Sequence, residues 1–403
     1  MRKNGINRHL TPIEGGVCAP GGFRCSATYC GFDKENDGKD DLAFVVADKR
    51  CATACVYTTL PQKGAPIAVT KRHLKNGYAQ AFLANSGIAN VFMSDGEKLA
   101  EYACRKLRRY INVDAQDVVI ASTGKMFGEL TLEQFEGGLQ ELVENLSDTH
   151  EASLAAARAL MTTDAQVKQL SYSFELGAFS CKIGAIFKGN THVAPNMATT
   201  LAFITTDVNI TPEMLRHALV METKESFNLL NVDGQASPND MVCIMANGRA
   251  GNCRIDRIDT EYKKFAYILR EVLIRICKQI VTDDEPPRKV LSCKVIGALS
   301  KQLARAVARE VVYSSYIRRC AKQGQLDLDK LFHAILNAGV ELDGSLEIYI
   351  CADGEEVVVF EDEQAFANME QQVARIFAAN ERTIVVNLHQ GNYTAEAYGC
   401  DDF

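Results

Sequence analysis

No stretch of the 403-residue chain approaches the roughly 18 consecutive apolar residues that a membrane-spanning helix needs. A helical membrane protein is therefore excluded. A block of Lys and Arg is also missing. The formal net charge is -7 and the isoelectric point lies near 5.6, which argues against a nucleic-acid partner. The densest basic cluster, Arg105, Lys106, Arg108 and Arg109, sits in a helical pattern beside Glu97 and Glu101 and reads as a solvated helix face. The opening MRKNGINRHLTPIEGG is positively charged but has no apolar stretch behind it, so it does not read as a secretion signal, and a cytoplasmic location is expected.

The common catalytic signatures are absent too. A G-x-x-x-x-G-K-[ST] loop, a G-x-S-x-G elbow, an H-E-x-x-H pair and a dinucleotide fingerprint are all missing. The histidines are scattered and form no recognisable pair. Cys18, Cys25, Cys30, Cys51 and Cys55 cluster near the start, but no gap among them is the C-x-x-C of a zinc site, so no metal is expected. Those five are expected to be core or loop thiols. Cys104, Cys243, Cys277, Cys293 and Cys351 lie within apolar patterns and read as small core residues of a reducing compartment.

What is present is an ordinary globular composition, 47% hydrophobic and 24% charged, long enough for two domains or one two-lobed unit. Helical and strand patterns alternate. Asp95 to Asn112, Thr131 to Leu146 (opened by the capping-box pattern Thr131-x-x-Gln134), Glu151 to Met161, Pro212 to Phe227, Thr260 to Val281, Ser300 to Ser314 and Gln364 to Ala379 read as helices. DVVIA, FSCKIGAIF, LAFITT, MVCIMA, VLSCKVIGA, EIYI, EVVVF and TIVVNL read as strands. Pro286 and Pro287 in TDDEPPRK make the clearest break. The expected class is α/β or α+β, with layered helices and sheets.

One segment stands apart. KGNTHVAPNMATTLAFITTD (Lys188 to Asp207) leads through small residues and a Pro-Asn turn to Ala198-Thr199, at the threshold of an apolar run. A threonine hydroxyl is a weak nucleophile without an adjacent base. Cutting the peptide bond before the threonine supplies that base, because its new α-amine titrates near about 7.7–8.0 and has a substantial neutral fraction at cellular pH. Such chemistry needs no catalytic histidine. A threonine opening a strand is also common, so the local pattern leaves both readings open.

Further motifs bear on the choice. GGVCAPGGFRCS, LANSGIANV, ASTGKM, MTTDAQVK and SFNLLNVDGQASPND occur in that order around the Lys188 segment. Together they resemble the signature of the ornithine acetyltransferase (glutamate N-acetyltransferase) family of arginine biosynthesis. The resemblance covers most of residues 13 to 285. It implies an αββα-type N-terminal-nucleophile-like fold of the ornithine acetyltransferase/DmpA type. It also implies self-cleavage between Ala198 and Thr199, giving an alpha chain 1–198 and a beta chain 199–403. By the same resemblance Thr199 is the nucleophile, and Thr123 and Gly124 stabilise the oxyanion. Thr162, Lys188 and Glu285 bind substrate. The family reaction moves acetyl from N-acetylornithine to Thr199 and then to glutamate, releasing ornithine. It needs no cofactor, some members also accept acetyl-CoA as acetyl donor, and the family assembles as a heterotetramer of two alpha and two beta chains.

The last third departs from the family pattern. DDEPPRK replaces a flexible segment with two residues of fixed φ, the family's Trp-containing loop has no counterpart, and the resemblance ends at AEAYGCDDF without the family's tail. Two alternatives follow: an amidohydrolase or aminopeptidase using the same nucleophile, and a catalytically reduced homologue with a binding role.

Overall fold

A computed structural model describes residues 9–32, 38–191, 200–342, 345–366 and 368–401. The strands are β1 (Thr11–Pro12), β2 (Phe23–Thr28), β3 (Leu42–Tyr57), β4 (Tyr78–Asn85), β5 (Val118–Ser122), β6 (Lys168–Leu176), β7 (Phe179–Lys188), β8 (Leu201–Thr206), β9 (Leu230–Asn231), β10 (Met241–Ala246), β11 (Val290–Ala298), β12 (Glu347–Ala352), β13 (Glu355–Glu361), β14 (Gln364–Ala365), β15 (Glu381–Asn387) and β16 (Tyr393–Cys400). The helices are α1 (Ala65–His73), α2 (Gly96–Leu107), α3 (Leu132–Glu144), α4 (His150–Ala159), α5 (Pro212–Thr223), α6 (Thr260–Thr282), α7 (Lys301–Tyr313), α8 (Ser315–Lys322), α9 (Leu328–Asn337) and α10 (Glu370–Ala378). Among the described residues they form two compact units, the first from 9–32, 38–189, 200–222 and 236–272, the second from 190–191, 223–235, 273–342, 345–366 and 368–401. The boundary does not follow Ala198-Thr199, since chain from both sides of that bond enters each unit.

The first unit is built on one sheet ordered β1-β6-β7-β8-β10-β3-β4-β5, with β2 also on β3. Strand β3 is what shapes it. Its first part pairs with β2 and β4, its last part with β10, and the register breaks between Val46 and Cys51, where Asp48, Lys49 and Arg50 are exposed. Such a register break bends a strand, and the sheet folds over on itself at this corner. Val45, Phe82 and Val119 of one half then share a core with Phe203, Cys243 and Met245 of the other. The Phe82 and Phe203 rings stack across it at 4.9 Å. The alternate residues Val46, Leu83 and Ile120 turn outward into a second core, covered by Val69 of α1, Leu99 and Ala103 of α2 and Phe135 of α3. Helix lies on sheet and sheet on sheet, the layering expected from the sequence. The Thr131 cap forms as expected, with Thr131 and Gln134 bonded reciprocally at the start of α3.

The second unit is a seven-stranded sheet ordered β14-β13-β12-β15-β11-β16-β9. Its core joins Cys293 and Val295 of β11, Ile384 and Val386 of β15, and Val307 and Val311 of α7.

Two expectations need correction. The last helix starts at Glu370 rather than Gln364, because Asp362 and Glu363 take positive φ and turn Gln364–Ala365 back as a strand against β13. Cys55 and Cys243 are not free thiols. The antiparallel register sets them directly opposite on β3 and β10, Cα to Cα 4.2 Å, and they are joined as a disulfide. Among the described residues no group of His, Cys, Asp and Glu forms a metal cluster, and no helix is long and apolar enough to cross a membrane.

Candidate active site

Because the sheet is folded at β3, the ends of β4 and β5 meet the end of β7 and the starts of β8 and β10. Lys188 is the last residue of β7 and is buried. Its Nζ donates to Thr162 Oγ1 at 2.5 Å and to Thr123 Oγ1 at 3.4 Å, and lies 3.5 Å from Asp164 Oδ2. Three of the expected site residues therefore come together around one ammonium group, and Thr162 remains exposed.

Thr123 follows β5 directly. Its N–H donates to the Asn85 carbonyl at 2.9 Å, while Asn85 Oδ1 accepts the Ser122 hydroxyl at 2.6 Å. Gly124 comes next with φ 126°, and a Cβ there would lie 2.2 Å from the carbonyl carbon and oxygen of Gly87. Only glycine fits both the dihedral and the space. On the far side, Lys125 N–H donates to Gly87 at 2.8 Å and Lys125 accepts from Ala89 at 2.9 Å. The Gly124 N–H has no acceptor among the described residues, and the residue is exposed. A hydroxyl and a free amide are thus set side by side.

Asp164 is the counter-charge. It accepts from Lys168 Nζ at 2.8 Å, the Gly189 N–H at 2.7 Å and the Thr162 N–H at 3.0 Å. Burial alone would raise its pKa, but the Lys188 and Lys168 ammonium groups and the Gly189 N–H outweigh that and hold it at about 2. Burial likewise lowers the Lys188 pKa, against the pull of Asp164.

Asp240, just before β10, is the second buried acid. Its Oδ1 accepts the Thr200 N–H at 2.7 Å and its Oδ2 the Ser237 N–H at 3.3 Å. Burial pushes its carboxyl well above the ordinary range, against those two donors and Lys188. Asp164 and Asp240 were not singled out in the sequence, although each lies inside a motif quoted above.

Ala198 and Thr199 lie outside the described residues, in 192–199. Glu285 belongs to the second unit, where it is exposed and its N–H donates to Asp284 Oδ1 at 2.9 Å. The neighbouring Arg288 is buried and donates to the carbonyls of Asp283 and Asn190 at 2.6 and 2.9 Å.

The sequence profile of the ArgJ family matches residues 24–402. The chain belongs to the ArgJ family. An arginine biosynthesis bifunctional protein ArgJ from Symbiobacterium thermophilum is 34% identical over 391 residues, 96% of either chain. A glutamate N-acetyltransferase from Methanothermobacter thermautotrophicus is 32% identical over 400 residues, 96% of this chain and 94% of that one. The crystal structure of the Bacillus halodurans ArgJ protein, 32% identical, aligns with 50% of this chain and 93% of its own at a TM-score of 0.46.

Proposed function

We propose that this ArgJ-family chain is a self-processing acetyltransferase of arginine biosynthesis, moving acetyl from N-acetylornithine to glutamate through an ester on Thr199. The observation that carries this reading is the convergence of Thr123, Gly124, Thr162 and Lys188 at the end of the strand that leads into Ala198-Thr199.

Processing comes first. Thr199 Oγ attacks the Ala198 carbonyl carbon, forming a C–O bond. The C–N bond to Thr199 breaks, and the hydroxyl proton passes to the departing nitrogen. Water hydrolyses the ester, leaving a carboxylate on Ala198 and a free α-amine on Thr199. The segments 1–198 and 199–403 remain one catalytic unit, since β7 and β8 hydrogen-bond across the cut, and they assemble as two of each.

In transfer, the α-amine takes the Thr199 hydroxyl proton as the oxygen attacks the acetyl carbonyl of N-acetylornithine. The acetyl C–N bond breaks, the proton goes to the leaving nitrogen, and ornithine departs. The glutamate amine then attacks the ester and frees Thr199. At both stages Thr123 O–H and Gly124 N–H face the oxyanion. Lys188 donates to Thr123 Oγ1, so that oxygen's lone pair is occupied while its O–H stays free to donate. A substrate carboxylate entering beside exposed Thr162 meets the same ammonium.

The test is incubation of purified protein with acetyl-labelled N-acetylornithine. The reading predicts label in N-acetylglutamate when glutamate is present, with acetyl-CoA as a second donor to compare. Label released only as acetate would mean a hydrolase, and no turnover with any donor would mean a binding role.

A further inference from the structure

The bond between Asp240 and Thr200 has a consequence that rests on the reading above. If the chain is cut before Thr199, Thr199 becomes a chain terminus, and termini fray unless they are tied down. A catalytic hydroxyl must instead be held within about half an ångström of its productive position. Thr200 is held on both sides. Its carbonyl accepts the Met241 N–H at 2.9 Å, and its own N–H donates to Asp240 Oδ1 at 2.7 Å. That N–H belongs to the planar peptide unit joining Thr199 to Thr200, so fixing it fixes the plane from which Thr199 departs.

We infer that Asp240 is a positioning residue for the Thr199 nucleophile, acting through the Thr200 amide. Aspartate suits the place because a carboxylate offers two acceptor oxygens. One takes Thr200 and the other Ser237, which holds the SPND turn that carries Asp240 itself. The Asp240 carbonyl is tied as well, accepting the Thr58 N–H at 2.9 Å, so the anchor is rigid. Strand pairing supplies only the carbonyl half of the grip.

The test uses Asp240→Ala and Asp240→Asn in the full chain, with both substitutions repeated in a Thr199→Ala background that cannot be cut. Leaving the buried Thr200 N–H without this acceptor predicts cleavage slowed by roughly 10-fold or more in Asp240→Ala. Asp240→Asn keeps one oxygen for Thr200 and should cut within a few-fold of the parent. In the uncut background, deuterium exchange over 200–206 should rise at the Thr200 amide in the alanine variant, with little change in asparagine and similar melting temperatures in all three. Alanine cutting at the parental rate, or asparagine as slow as alanine, overturns the inference alone. A parent chain that stays whole overturns it together with the proposed function.

Discussion

Lys188 joins two strand ends that lie far apart in the sequence: its ammonium reaches Thr123 Oγ1 at 3.4 Å, just past β5, from the last position of β7. That bond exists because β3 turns a corner, and it places the ammonium where it can orient a hydroxyl while being neutralised by Asp164.

Breaking this buried pair from one side should be expensive. Lys188→Met leaves Asp164 with Lys168 as its remaining ammonium among the described residues and should cost about 3 kcal/mol of stability. In an Asp164→Asn background the same substitution should cost much less, since the charge it served is gone. Urea unfolding of the four chains measures the difference.

Acid tests the same site. Asp164 titrates at about 2 in the fold against about 3.9 in an unfolded chain. Its contribution is therefore fully present above the unfolded value and is lost as pH falls from about 4 through about 2. Stability against pH in Asp164→Asn should fall less steeply there, by up to about 1.4 kcal/mol per pH unit. Asp240, raised by burial, has the opposite sign: its charging opposes folding above the ordinary carboxylate range.

Gly124→Ala should remove activity more than stability. The added methyl meets the Gly87 carbonyl and is forced onto a φ of 126°, a strain of about 1–3 kcal/mol. Relief of that strain turns the Gly124 amide, so transfer should fall by roughly 100-fold or more. Thr131→Ala is the control: it loses the α3 cap, costs about 1 kcal/mol in melting experiments, and should leave transfer unchanged.

Much of this was legible in the sequence where local pattern and tertiary demand agree. The α2 face, the Thr131 cap and the apolar runs of β8 and β10 are examples. Strand β3 was not, because exposed Asp48, Lys49 and Arg50 at its corner look like the end of a strand rather than its middle. Thr123, Thr162 and Lys188 came from ordered motifs. Asp164 and Asp240 did not, since a single acid in a polar run looks solvated until the fold supplies its donors. The Cys55–Cys243 pairing depends on register between strands 188 residues apart, which spacing alone does not reveal.

The central claim is that Ala198-Thr199 is a bond meant to break, and intact mass with N-terminal sequencing of the purified chain tests it most directly. The account predicts two fragments, 1–198 and 199–403, the second beginning at Thr199, and a Thr199→Ala chain that stays whole. A parent chain that remains intact, or a cut that persists at this bond without the threonine, would contradict it.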